Sequence, residues 1–175
     1  MRKLLNEELN RKSVDEFKHA SKTPIVIVLD NVRSLNNVGS VFRTADAFLV
    51  EAVYLCGITG TPPNRDIQKT ALGSTDSVAW KYFKTTLEAV AELKQNNYQV
   101  YAIEQTESAI MLNKFQPQKG QRLAIIFGNE VKGVQQEVID ASNNVIEIPQ
   151  AGTKHSINIA VSVGVVTWDL FQKML

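Results

Sequence analysis

The run Ile25-Val26-Ile27-Val28-Leu29 constrains this chain more than any other stretch. These residues are all apolar, mostly β-branched, and do not alternate with polar ones. As a strand they need apolar cover on both faces, which an antiparallel sheet with one wet face does not give. A strand of this kind belongs inside a parallel sheet with helices packed on either side.

The rest of the chain fits that frame. Ala52–Cys56, Gln99–Ile103, Leu123–Phe127 and Val145–Ile148 are further strand candidates. Val38, Val41, Phe42, Ala45 and Leu49 recur at helical spacing. Asp66–Leu72 reads as a short helix ending at Gly73. Thr85 and Glu88 form a capping box that opens a helix running to Asn96. Gly133–Ala141 and Ser156–Leu175 are predicted as helices, and residues 1–20 as another, with Leu5, Leu9 and Phe17 on its apolar side. Strands alternating with helices predict an α/β domain with a mostly parallel sheet flanked by helices. No repeat or linker divides it, so residues 1–175 are read as a single domain in which residues 1–22 form an N-terminal helical extension.

Several classes fall away. No apolar run approaches the ~20 residues that span a bilayer. The first 20 residues are polar and lack the apolar core of a secretory signal, which makes the cytoplasm the expected compartment. The lone Cys56 has no partner for an internal disulfide, and Cys56, His19 and His155 show no metal-ligand spacing, so no metal is expected. There is no GxGxxG after the first strand and no GxxxxGK[ST] anywhere, which counts against an unrelated nucleotide-binding oxidoreductase. The net charge of +1 does not announce a nucleic-acid binder, although Arg2, Lys3, Arg11 and Lys12 give the first residues a mild basic bias.

In a parallel sheet, ligands bind beyond the carboxyl ends of the strands. Three polar stretches follow predicted strands: Asp30–Arg43, Gly128–Gly133 and Pro149–Asn158. In the first, Arg43 points away from the apolar stripe of its helix, as a solvated arginine also would, and Asn37 suits either a helix cap or a site. In the second, Gly128 permits close approach of a ligand to the backbone, and Glu130 either caps the following helix or serves a site. In the third, Ser156 is a candidate helix cap, and Asn158 heads an apolar helix where a buried amide needs partners.

These stretches carry a family resemblance. Asn37-Val38-Gly39-Ser40-Val41-Phe42-Arg43-Thr44-Ala45-Asp46-Ala47 resembles the first motif of the SpoU (TrmH-like) RNA methyltransferases, Asn-x-Gly-x-x-x-Arg-[Thr/Ser]-Ala-[Asp/Glu]-Ala. Ile125–Val134 is similar to the second, a strand followed by Gly-x-Glu-x-x-Gly. Ile146–Gly152 with Ser156–Gly164 is similar to the third, with Gln150 in place of the common Met and Ile157 in place of Leu. The resemblance implies an α/β fold with a C-terminal trefoil knot, a homodimer, and transfer of a methyl group from S-adenosylmethionine to a ribose 2′-hydroxyl of RNA. It implies that Gly128, Ile148 and Ile157 hold the adenosyl part, and that Asn37, Arg43, Glu130, Ser156 and Asn158 occupy the active site, with Arg43 acting across the dimer interface. The short N-terminal extension resembles the tRNA-modifying members more than the rRNA ones. The alternative is an RNA-binding pseudoenzyme on the same fold, against which the intact polar set argues.

Overall fold

A computed structural model describes residues 1–175, the side chain of Asn6 excepted. The strands are β1 (Thr23–Asp30), β2 (Val50–Cys56), β3 (Ala79–Phe83), β4 (Tyr98–Ile103), β5 (Ile110–Met111), β6 (Arg122–Phe127) and β7 (Asn144–Glu147). The helices are α1 (Val14–His19), α2 (Leu35–Ala47), α3 (Arg65–Ala71), α4 (Ser74–Ser77), α5 (Thr86–Gln95), α6 (Gln136–Ala141) and α7 (Ile159–Met174). The strands form one sheet in the order β3-β2-β1-β6-β4-β7-β5, and every pairing is parallel.

β1 lies inside the sheet, between β2 and β6, as its composition demands. Ile25, Val26, Ile27, Val28 and Leu29 are each at most 1% exposed. Ile25, Ile27 and Leu29 face a cluster that includes Val38, Phe42 and Ile67 below and Val163 and Leu170 of the last helix. Val26 and Val28 face Ala89, Leu93 and Val138 on the other side. α2, α3 and α7 therefore cover one face, and α5 and α6 the other. Removing each such side chain from water contributes about 1.5–3 kcal/mol.

The strand order reverses beside β1. The chain steps outward through β2 and β3, then crosses back to place β4 on the far side. β6 later enters between β1 and β4, and β7 between β4 and β5. All carboxyl ends share one edge, and that reversal is where a parallel sheet opens a crevice.

Local structure departs from expectation at four places. The predicted N-terminal helix is broken: a 3-10 turn at Asn6–Leu9 ends at Asn10, in the left-handed region at φ 47°, and Ser13 caps a fresh six-residue helix. The predicted helix from Gly133 begins at Gln136, because Asn129 and Gly133 bond to each other in a tight loop, with Gly133 at φ 68°. The last helix begins at Ile159, and its cap is Asn158, not Ser156. The edge strand β3 had no sequence signal, since four of its five residues are exposed and present no apolar run.

Candidate active site at the carboxyl edge of the sheet

β1 ends in a buried acid. Asp30 is fully buried and accepts from the Thr86 hydroxyl (2.6 Å), the Asn31 amide (2.8 Å) and the Gln135 backbone N–H (2.9 Å). Asn31 follows at φ 56°. Its carbonyl accepts from the Asn129 amide at 2.8 Å, and its side chain donates to Gln135 Oε1 at 2.9 Å. The loop after β6 is thus fastened to β1 on both flanks. On its third side, Glu104, at the end of β4, accepts from the Val134 N–H at 3.1 Å. A Cβ on Gly128 would lie 2.1 Å from Gly133 C and Val134 N, so only glycine lets this loop fold back over the strand end.

That loop presents Glu130, whose partners exclude one of its two expected roles. Its carboxylate does not cap the helix that follows it. It accepts from the backbone N–H groups of Arg33 (3.1 Å) and Ser34 (3.0 Å) and from the Asn37 amide (3.3 Å), at the N-terminus of α2. Burial pushes its pKa up, but the bonds from the Arg33 N–H, its own N–H, the Ser34 N–H and the Asn37 amide outweigh this and hold it below the usual carboxylate range. The free N–H groups of a helix start suit such a charge.

The third segment joins through Asn158. Its Oδ1 accepts from Ala160 N at 2.9 Å as the α7 cap, and its amide donates to Asn37 Oδ1 at 3.4 Å. Asn158 is exposed in the chain, not buried. Asn37 therefore stands between Glu130 and Asn158 and links all three motif segments. Ser156 is exposed beside them.

A cavity of about 230 Å³ opens against this cluster. Gly128, Ile148 and Ile157 line it, as do Glu130, Ser156 and Asn158. Sequence reasoning missed Glu104 and Gln105, which also line it. Their signal was available: an acid and an amide stand at the carboxyl end of a strand, as Asp30 and Asn31 do at the end of β1. The lining suits an adenosyl group bound to a charged amino-acid moiety. Ile103, Ile148 and Ile157 offer apolar walls for a purine, strand-end backbone offers edge hydrogen bonds, and Glu104 and Glu147 supply carboxylates for an ammonium or ribose hydroxyls.

Arg43 stands apart from that cavity. It lies six residues beyond Asn37, or about 9 Å along the helix axis. It is exposed, has no ion-pair partner among the described residues, and lines a separate cleft of about 610 Å³ with Arg11, Lys12 and Asp46. Within one chain, then, Asn37, Glu130 and Asn158 come together with the cavity and Arg43 does not. Among the described residues no group of three or more His, Cys, Asp or Glu is placed to hold a metal, and no helix is long and apolar enough to cross a membrane.

Comparison with known proteins bears on this arrangement. Residues 24–168 match the SpoU rRNA Methylase family. The 23S rRNA (guanosine-2′-O-)-methyltransferase RlmB of Vibrio parahaemolyticus is 25% identical over 97% of this chain and 67% of its own length. The tRNA (guanosine(18)-2′-O)-methyltransferase of Thermus thermophilus is 27% identical over 96% of this chain and 84% of its own. Among solved structures, the AdoMet-bound rRNA methyltransferase from Sinorhizobium meliloti superposes with a TM-score of 0.81 at 24% identity, over 90% of this chain and 59% of that one.

Proposed function

The chain belongs to the SpoU rRNA methylase family, and on that footing we propose that it transfers a methyl group from S-adenosylmethionine to a ribose 2′-hydroxyl of RNA, with tRNA as the favoured substrate. The observation that carries the reading is the convergence of three separate segments, through Glu130, Asn37 and Asn158, on the rim of a strand-end cavity lined by Gly128, Ile148 and Ile157. Both an rRNA and a tRNA enzyme are among the relatives. The tRNA preference takes its support from the larger share of the Thermus tRNA enzyme that this chain spans, 84% against 67% of the Vibrio rRNA enzyme.

The cofactor supplies a methyl group made electrophilic by its sulfonium. The chain's own residues must then hold an RNA hydroxyl in line with it and take up its proton. A guanidinium presents a rigid fork of donors, which suits Arg43 to a phosphate. It binds the neighbouring phosphate and orients the hydroxyl, whose proton leaves to that phosphate or to water. Glu130 keeps the α2 N-terminus against the cavity, and Asn37 and Asn158 frame the opening through which the ribose enters. Ser156 sits at the same opening to contact the ribose or its phosphate.

Arg43 reaches this opening from a second copy of the chain. Its distance from the cavity within one chain supports that reading, as does the exposed apolar face of α7. Val161, Val165 and Trp168 are 53%, 41% and 52% exposed and share one side of the helix. We include the trefoil knot in the proposal. β6 and β7 insert between strands already laid down, and Lys173 near the chain end donates to the Leu112 carbonyl at 2.8 Å, as a chain end drawn back past the earlier connection would. Incubating the protein with S-adenosylmethionine and unmodified tRNA and rRNA, then mapping methylated nucleotides in each by mass spectrometry, tests the proposal. Methyl groups on rRNA alone would overturn the tRNA preference, and none on either RNA would overturn the whole.

A further inference from the structure

We infer that the RNA leaves the cofactor cavity in one direction, across the carboxyl ends of β1, β2 and β3, where Arg33, Arg65 and Lys84 hold its phosphates and Tyr82 stacks on an unpaired base. This rests on the proposed RNA methyltransferase activity and adds a path and a polarity to it.

The charges along the sheet edge are uneven: Lys132 and Lys154 stand exposed on the loops after β6 and β7, and a further set of cations lies beyond β1, β2 and β3. Beyond β1, β2 and β3 stand Arg33, Arg65 and Lys84, all exposed and without an ion-pair partner among the described residues. The acids near them are already engaged. Asp30 is buried and bonded, Asp66 pairs with Lys69 at 2.6 Å, and Glu88 is taken up in the capping box of α5. On the other side of the cavity the connection after β4, residues 104–109, carries Glu104 and Glu107 and no cation. A polyanion that passes Lys132 and Lys154 at the cavity mouth meets further cations toward β3 and only acids at the connection after β4. A net charge of +1 hides this asymmetry.

The same side offers a rigid aromatic surface. Tyr82 is 47% exposed, yet its hydroxyl donates to the Gly57 carbonyl at 3.0 Å, so the ring is held in place while one face meets solvent. Beside it Ile58 is 65% exposed. The turn beneath is stitched down, with Gly57 N–H bonded to Phe83 O at 3.1 Å and Ile58 N–H to Asn31 Oδ1 at 3.1 Å. Asn31 is also the residue that fastens the Glu130 loop, so the platform and the cavity rim belong to one bonded unit. A fixed aromatic flanked by unpaired cations is the arrangement that binds single-stranded RNA by stacking and phosphate contact.

The test is binding of labelled, unmodified tRNA and of rRNA fragments over a range of salt, with S-adenosylmethionine affinity measured in parallel by calorimetry. R65E/K84E should bind RNA about tenfold more weakly, and its log–log salt slope should fall by about 1.5, at roughly 0.7–0.9 per lost phosphate contact. Y82A should weaken binding with the slope unchanged. A matched reversal at the opposite edge, K94E/K119E, should change neither, and cofactor affinity should hold throughout. R65Q/K84Q serves if the reversed pair fails to fold. Rim variants that lose no more than K94E/K119E would overturn the path while leaving the methyltransferase reading intact. A wild-type protein that binds neither RNA would sink both.

Discussion

At the scale of single residues, the account turns on Arg43 and Glu130. Arg43→Ala should abolish methyl transfer to RNA and leave S-adenosylmethionine affinity near wild type in calorimetry, because Arg43 is not on the cavity wall of its own chain. Glu130→Gln should cost about 0.5–1 kcal/mol of stability at neutral pH, the worth of a charge at a helix N-terminus. The sign of its pH dependence is set. A carboxylate held below its usual range stabilises the fold above that range and stops doing so as pH falls through the folded value. The wild-type advantage over Glu130→Gln in thermal unfolding should therefore shrink in acid and vanish once the group protonates. The pattern made Arg43 legible as an outward-facing arginine on an amphipathic helix. The partners of Glu130 were not legible. They lie 93 to 97 residues away, and only folding brings them to its carboxylate.

Among the elements, glycines decide two close approaches. A Cβ on Gly39 would lie 2.2 Å from the Ile67 carbonyl oxygen and from Thr70 Oγ1, so Gly39→Ala must push α3 off α2. It should destabilise the protein by about 1–3 kcal/mol in urea unfolding. Gly128→Ala should open the loop after β6 and weaken S-adenosylmethionine binding about tenfold or more, a similar strain expressed at the cavity. The sequence told most where burial was complete. β1 and β6 announced themselves as apolar runs, and the Thr85–Glu88 box marked the start of α5 within a residue. It told least where burial is partial: β3 is an exposed edge, and β5 has two residues. The N-terminal segment was read as one helix because its charges and leucines suit a helix. The chain turns at Asn10, and Leu4 and Leu5 stay exposed, so little packing holds a longer helix there.

For the whole molecule, the separation of Arg43 from the cavity makes the proposed dimer part of the proposed chemistry. Trp168→Glu, on the exposed face of α7, should shift the protein to monomer in sedimentation velocity and abolish methyl transfer while sparing cofactor binding. Mixing Arg43→Ala with Gly128→Ala subunits should restore activity, since a mixed dimer holds one intact cavity facing one intact arginine. A mixture no more active than its components would place both in one chain. Sheet order and topology lay beyond periodicity: which strand enters between β1 and β4 depends on contacts of high sequence separation, and the proposed knot would be an exception to the usual rules of connection. The most direct test of the central claim is transfer of labelled methyl from S-adenosylmethionine to unmodified RNA, followed by nuclease digestion and identification of the modified nucleoside. The account predicts label on ribose as a 2′-O-methyl nucleoside, lost with Arg43→Ala. Label on a base, or none on any RNA offered, would contradict it.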